Sequence, residues 1–160
     1  MSMPSYQKRV MLLDEILTEG IRLFKRMLAS EENLRKQLVN GDHRAIMESE
    51  QERKTLQVEI NTLEEKRKAL IPAGTGMQSF IKRKISRSKQ PLLLDKLNEL
   101  QVILKEIRTI HEVNQVLMAE RLRFSKEIQE KVLNSQTAYY DQKGRLNKEE
   151  KPSKKIDRNC

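Results

Sequence analysis

Two histidines and one cysteine stand among 160 residues, so the side chains able to do metal or nucleophile chemistry are few. His111-Glu112-Val113-Asn114-Gln115 opens like a zinc-protease helix, where two histidines one turn apart grip the metal and a glutamate between them acts as base. Gln115 stands where the second histidine is needed, and His43, the other one, falls in a different helical segment. The segment therefore predicts no metal set, and His111 reads as a bundle seam or edge histidine with a local hydrogen bond. Gly74-Thr75-Gly76 lacks the Gly-Lys-Ser/Thr of a phosphate-cradling loop and reads as a linker. Cys160 has no intrachain partner, which leaves no disulfide framework. Serines and carboxylates are plentiful, but none pairs with Cys or His as nucleophile and base. The expectation is a non-enzyme, with no catalytic residue, no metal and no cofactor.

Charge is the other chemical resource, and it is unevenly placed. Residues 82–89 hold Lys82, Arg83, Lys84, Arg87 and Lys89 and no acidic residue, while 145–160 form a basic tail; together they carry eight of the nine net positive charges. The rest of the chain is close to neutral, with the alternating signs of solvated helix faces. Two short basic segments could touch phosphate or anionic lipid, although a solvated loop and a solubilising tail are the commoner explanations of such runs. Nucleic acid is not the expected partner, because a whole-surface binder would be basic throughout.

These side chains must be positioned by helices. Hydrophobic residues are 37% of the chain and charged residues 34%, the latter above the ~25% usual in globular domains. Three Phe, three Tyr, no Trp, four Pro and five Gly are too few aromatics and turn formers for a sandwich or barrel. Val10-Met11-Leu12-Leu13 is too short for a membrane span of ~20 residues or a signal-peptide core, so a cytoplasmic protein is expected. The fold class predicted is all-α: an elongated, coiled-coil-like antiparallel bundle of three long helices and one short connector helix.

The first helix covers about 6–38, with Val10, Leu13, Ile16, Leu17, Leu23, Phe24, Met27, Leu28, Leu34 and Leu38 as its apolar stripe. Gly20 interrupts it, marking either close helix contact or a bend. Asn40-Gly41-Asp42 supplies a left-handed stop followed by an N-cap acceptor. The second helix covers 43–71 with Ala45, Ile46, Leu56, Ile60, Leu63 and Leu70 inward; its polar middle, Glu48 to Thr55, is expected to pack weakly. A short helix over 77–88 bridges to the last, 92–140, where Pro91 suits a first turn. Leu97, Leu100, Leu104, Ile107, His111, Asn114, Met118, Arg121, Ser125, Ile128 and Val132 form a heptad seam with polar insertions. Asn114 could fix register there or lie partly exposed at an edge. Residues 1–144 are read as one domain and 145–160 as a mobile basic tail.

At ~1.5 Å per residue the three long helices span ~50, ~44 and ~73 Å. The hairpin of the first two can cover the last only to about Arg121. Phe124, Ile128, Val132, Leu133, Tyr139 and Tyr140 are left over, and could yield ~10–18 kcal/mol if fully buried. Fixing the roughly eighteen backbones of the overhang costs ~20–35 kcal/mol, so the free segment is expected to fray until a partner covers it. Met118, beside the overhang, suits an adaptable binding surface.

Specific residues then point to a family. Asp42, Lys54, Leu56, Leu63, Glu64 and Arg67 carry part of the pattern. Asn114-Gln115-Val116-Leu117, Leu122-Arg123-Phe124 and Tyr139-Tyr140-Asp141-Gln142-Lys143-Gly144 carry the rest. Over most of residues 6–144 the chain resembles the FlgN family of flagellar export chaperones, matching its Asn-containing helix, its Leu-x-Phe step and its terminal Tyr-Asp-x-x-Gly. The resemblance implies a helical chaperone that binds the C-terminal regions of the hook-associated proteins FlgK and FlgL through its own C-terminal half. It would keep them unpolymerised and present them to the type III export gate protein FlhA, with the export ATPase complex as a further contact. Carried over, Leu122, Phe124, Ile128, Val132 and Leu133 face the substrate and the Tyr139-Tyr140 pair offers the gate contact. The basic run at 82–89 and the tail are more positive than the family pattern implies. Two other classes remain open here: a structural coiled-coil protein that self-associates through the overhang, and a basic nucleic-acid-binding helical protein.

Overall fold

The turn chemistry of Asn40-Gly41-Asp42 fixes the first corner of the computed structural model, which describes residues 5–142, with side chains to 135. Helix α1 (Tyr6–Asn40) starts where Ser5 accepts from the Lys8 amide, and stops at Gly41, whose φ of 77° is left-handed. The Gly41 amide donates back to the Gln37 carbonyl at 2.9 Å, satisfying a carbonyl that the helix end would orphan. Asp42 then accepts from the Ala45 amide at 3.1 Å and opens α2 (His43–Leu70). Pro72 and Gly74, at φ 83°, end that helix and turn the chain. Helix α3 (Met77–Lys84) and helix α4 (Gln90–Gln142) follow; among the described residues there is no strand. Pro91 occupies the first turn of α4, where its missing N–H costs nothing.

Four boundaries differ by two residues or fewer from the periodicity, and one by more. Helix α3 stops at Lys84 rather than near 88, because Ile85 is extended (φ −112°, ψ 140°). The Gln90 side chain donates to the Lys82 and Ile85 carbonyls at 3.3 and 2.7 Å, so the released helix end is satisfied from α4 instead of by another turn. The expected basic tail, 145–160, lies outside the described residues.

The chain divides into two compact units, 1–115 and 116–160. In the first, α1 and α2 form an antiparallel hairpin, as the pairs Glu31–Arg53 and Arg26–Glu59 show. The first part of α4 runs parallel to α1, through Lys96–Asp14 at 2.5 Å and Lys25–Glu99 at 3.2 Å. One apolar cluster joins Leu13, Leu17, Ile71, Phe80, Ile81, Ile85, Leu93 and Leu97, drawn from α1, α3, α4 and the turns beside them. A second joins Ile16, Leu23, Met27, Leu56 and Leu63. Gly20 resolves as close contact without a helix break: a Cβ there would lie 3.5 Å from both Leu63 and Leu100.

The second unit, as far as it is described, is the helical run 116–142. Its backbone is helical to Gln142. From 116 to 135 no residue is buried.

Candidate functional site

Three places invite a functional reading: a polar layer within the first unit, the basic corner at the end of α3, and the apolar face of residues 116–135. The polar layer forms where the α1 stripe carries a charge. Glu31 sits one turn after Met27 and one before Leu34, both buried, and is itself 1% exposed. Arg53 reaches it at 2.7 Å from α2, and Arg53 also binds Glu50 at 2.6 Å. From α4, His111 Nδ1 lies 3.2 Å from a Glu31 oxygen, and Asn114 Nδ2 donates to the other carboxylate oxygen at 2.7 Å and to the Glu31 carbonyl at 2.9 Å.

The polar stretch Glu48–Thr55 contributes nothing to the apolar clusters and is held through two of its residues. Ser49 is buried and bonded to Gln37, and Arg53 closes the layer. A polar stretch can be tied to a facing helix by hydrogen bonds and ion pairs where apolar contacts are missing. Asn114 is buried and acts as a register pin rather than an exposed edge residue. His111 makes the local contact expected of it, and no cluster of three or more metal-ligand side chains occurs among the described residues. Glu31 and Arg53 were not singled out from sequence. The signal was present, since a glutamate on an apolar stripe and an arginine on the facing helix imply a buried pair.

At the basic corner, Phe80, Ile81 and Ile85 are buried, which turns Lys82, Arg83 and Lys84 outward. Arg87 and Lys89 are exposed in the following turn. The turn is fixed to α1: Tyr6 Oη donates to Ser86 Oγ at 2.8 Å and accepts from the Ser86 amide at 2.8 Å. The Ser86 hydroxyl and then its amide, with Lys89 adding positive charge, hold the Tyr6 phenol below its ordinary pKa.

The residues read from sequence as substrate-facing fall on one helix face. At about 100° per residue, Phe124, Ile128, Val132, Met118, Leu122 and Leu133 cover roughly half the circumference. All six are exposed, Leu122 at 75% and Phe124 at 62%. The opposite face is tied along the helix by Arg123, 2.6 Å from Glu120 and 3.3 Å from Glu127. The Glu120 bond raises the arginine's pKa further above its ordinary value. Cover stops sooner than helix lengths implied, since the last buried residue of α4 among those described is Asn114, not one near Arg121. The backbone at Tyr139 and Tyr140 is helical, and their side chains lie outside the described residues.

An all-helical chain with a packed bundle and a separate exposed amphipathic run has the features of a binding protein whose partner supplies the missing cover. Residues 9–148 match the family described as FlgN protein, and the chain belongs to that family. FlgN proteins are flagellar export chaperones, and this chain takes that role at that general level. Neither a curated protein nor a solved structure matches it. No helix among the described residues is long and apolar enough to cross a membrane.

Proposed function

We propose that the protein is a cytoplasmic chaperone for the hook-associated proteins FlgK and FlgL, binding their C-terminal regions and delivering them to the flagellar type III export apparatus. The observation that carries this reading is the exposed face of Met118, Leu122, Phe124, Ile128, Val132 and Leu133 in a chain of the FlgN family. A subunit whose termini are unstructured before assembly presents apolar segments, and an amphipathic helix covers them by pairing face to face. Ordering the client consumes much of the contact energy, which keeps the complex releasable. Release needs no nucleotide on this chain. The Tyr139-Tyr140 pair serves the export step, through the gate protein FlhA and the export ATPase complex.

Phe124→Ala with Ile128→Ala should abolish binding to FlgK and FlgL in calorimetry while the helical circular dichroism persists. Undiminished affinity would refute the assignment of this face. Tyr139→Ala with Tyr140→Ala should spare client binding and lower secretion of hook-associated proteins; normal secretion would remove the export contact. A second copy of the chain is the competing occupant of the same face. A tight homodimer by mass measurement, with Phe124 protected in it, would replace the chaperone reading with self-association.

A further inference from the structure

Five cations stand together on the last turn of α3 and the turn that follows it, with no carboxylate among them. Along the helices Arg22, Lys25, Arg26, Arg44, Arg53, Arg67, Lys68 and Lys96 each hold a carboxylate, and the remaining cations there alternate with acidic residues. Lys82, Arg83, Lys84, Arg87 and Lys89 form no ion pair among the described residues, and all five are exposed. Their backbone is nonetheless built firmly. Phe80, Ile81 and Ile85 anchor it in the core, Tyr6 holds Ser86, and Gln90 holds the Lys82 and Ile85 carbonyls. Fixing like charges side by side raises their mutual repulsion, which a negatively charged surface would relieve.

We propose that this α3–α4 corner docks on an anionic lipid bilayer, held by charge and without insertion. The observations favour lipid over nucleic acid. Single-strand binders interleave cations with aromatic platforms; the aromatic ring at this corner, Tyr6, is tethered through its hydroxyl to Ser86. Nucleic-acid tracking needs a basic stripe, whereas the cations along the helices elsewhere are interspersed with carboxylates. A compact cluster of four to eight Lys/Arg is instead the pattern that headgroups of an anionic leaflet attract. Insertion is excluded because the apolar residues of α3 are already committed to the core, with Ile81 fully buried. Docking at this corner does not depend on the client-binding face, so the two readings fail independently.

The test is cosedimentation of the full chain with vesicles of phosphatidylcholine containing about a third phosphatidylglycerol, against phosphatidylcholine alone, at ~0.1 and ~0.5 M salt. Binding should require phosphatidylglycerol and vanish at the higher salt. Each cation near such a surface is worth about a fivefold gain in partition. Replacing all five by Gln (Lys82, Arg83, Lys84, Arg87, Lys89) should therefore weaken binding by at least about a hundredfold, with the melting curve unchanged. A matched variant with Arg145, Lys148, Lys151, Lys154 and Lys155 changed to Gln should retain most of it. Equal loss in both variants would mean net charge alone is responsible and would overturn the site. So would unchanged binding of the five-Gln corner variant, no binding of the unaltered chain, or binding that survives high salt. A single-stranded oligonucleotide bound more tightly than the vesicles at equal phosphate, and lost in the corner variant, would reassign the surface to nucleic acid.

Discussion

Helix α4 carries two regions of similar apolar content and opposite fate. In its first part, to Gln115, Leu93, Leu97, Ile103 and Asn114 are buried against the hairpin. In the second, Leu122, Phe124, Ile128 and Val132 have the same helical spacing and lie exposed. Periodicity thus shows that a face wants cover but not whether its own chain provides it. Ion pairs divide the same way: Glu31–Arg53 is enclosed, whereas Glu120–Arg123 is a solvated intrahelical bridge.

The sharpest way to break this comparison is to truncate one leucine of the packed bundle and one of the exposed run. Leu56→Ala, at 0% exposure, should cost about 3–5 kcal/mol in denaturant unfolding. Leu122→Ala should change stability by less than about 0.5 kcal/mol. Comparable losses would mean that residues 116–135 are covered after all.

Next in size, Arg53→Ala leaves Glu31 buried with only His111 and Asn114 beside it. Losing one partner of a buried pair typically costs ~3–5 kcal/mol, and because Arg53 is itself 21% exposed about 2 kcal/mol is expected here. Arg123→Ala should leave the melting curve where it is. A smaller effect of opposite sign is expected at Gly20. Its substitution by Ala meets ordinary contacts at 3.5 Å, so the helix-propensity gain of up to ~1 kcal/mol should raise the melting temperature; a marked fall would show tighter packing against Leu63 and Leu100.

The smallest effect concerns pH. Arg67 holds the Glu64 carboxyl below its ordinary value, and Arg22 does the same to Glu19. A depressed folded-state pKa stabilises above the unfolded value and is lost as pH falls through the folded one. Water screens both pairs, so the loss on acidification below about pH 4 should stay within a few tenths of a kcal/mol. Arg67→Met should remove the Glu64 share of it.

Much of the fold was legible because its signals are local. Asn40-Gly41-Asp42 encodes its own corner, through a left-handed glycine and a capping carboxylate that neighbouring residues satisfy. The stripe from Leu13 to Leu38 and the amphipathic face from Met118 to Leu133 follow from helical spacing alone. The Gln90 cap that shortens α3 was hidden, since a glutamine serving carbonyls five and eight residues back leaves no periodic trace.

Sequence by itself determined the helices, the Asn40-Gly41-Asp42 corner and which side of each helix is apolar, because those depend on residues within a turn or two. Tertiary structure alone decided that Glu31, Arg53, His111 and Asn114 meet in one layer and that burial along α4 stops at Asn114. Those outcomes depend on the register between helices distant in the chain, which is set by how whole faces interlock and by which buried polar groups find partners.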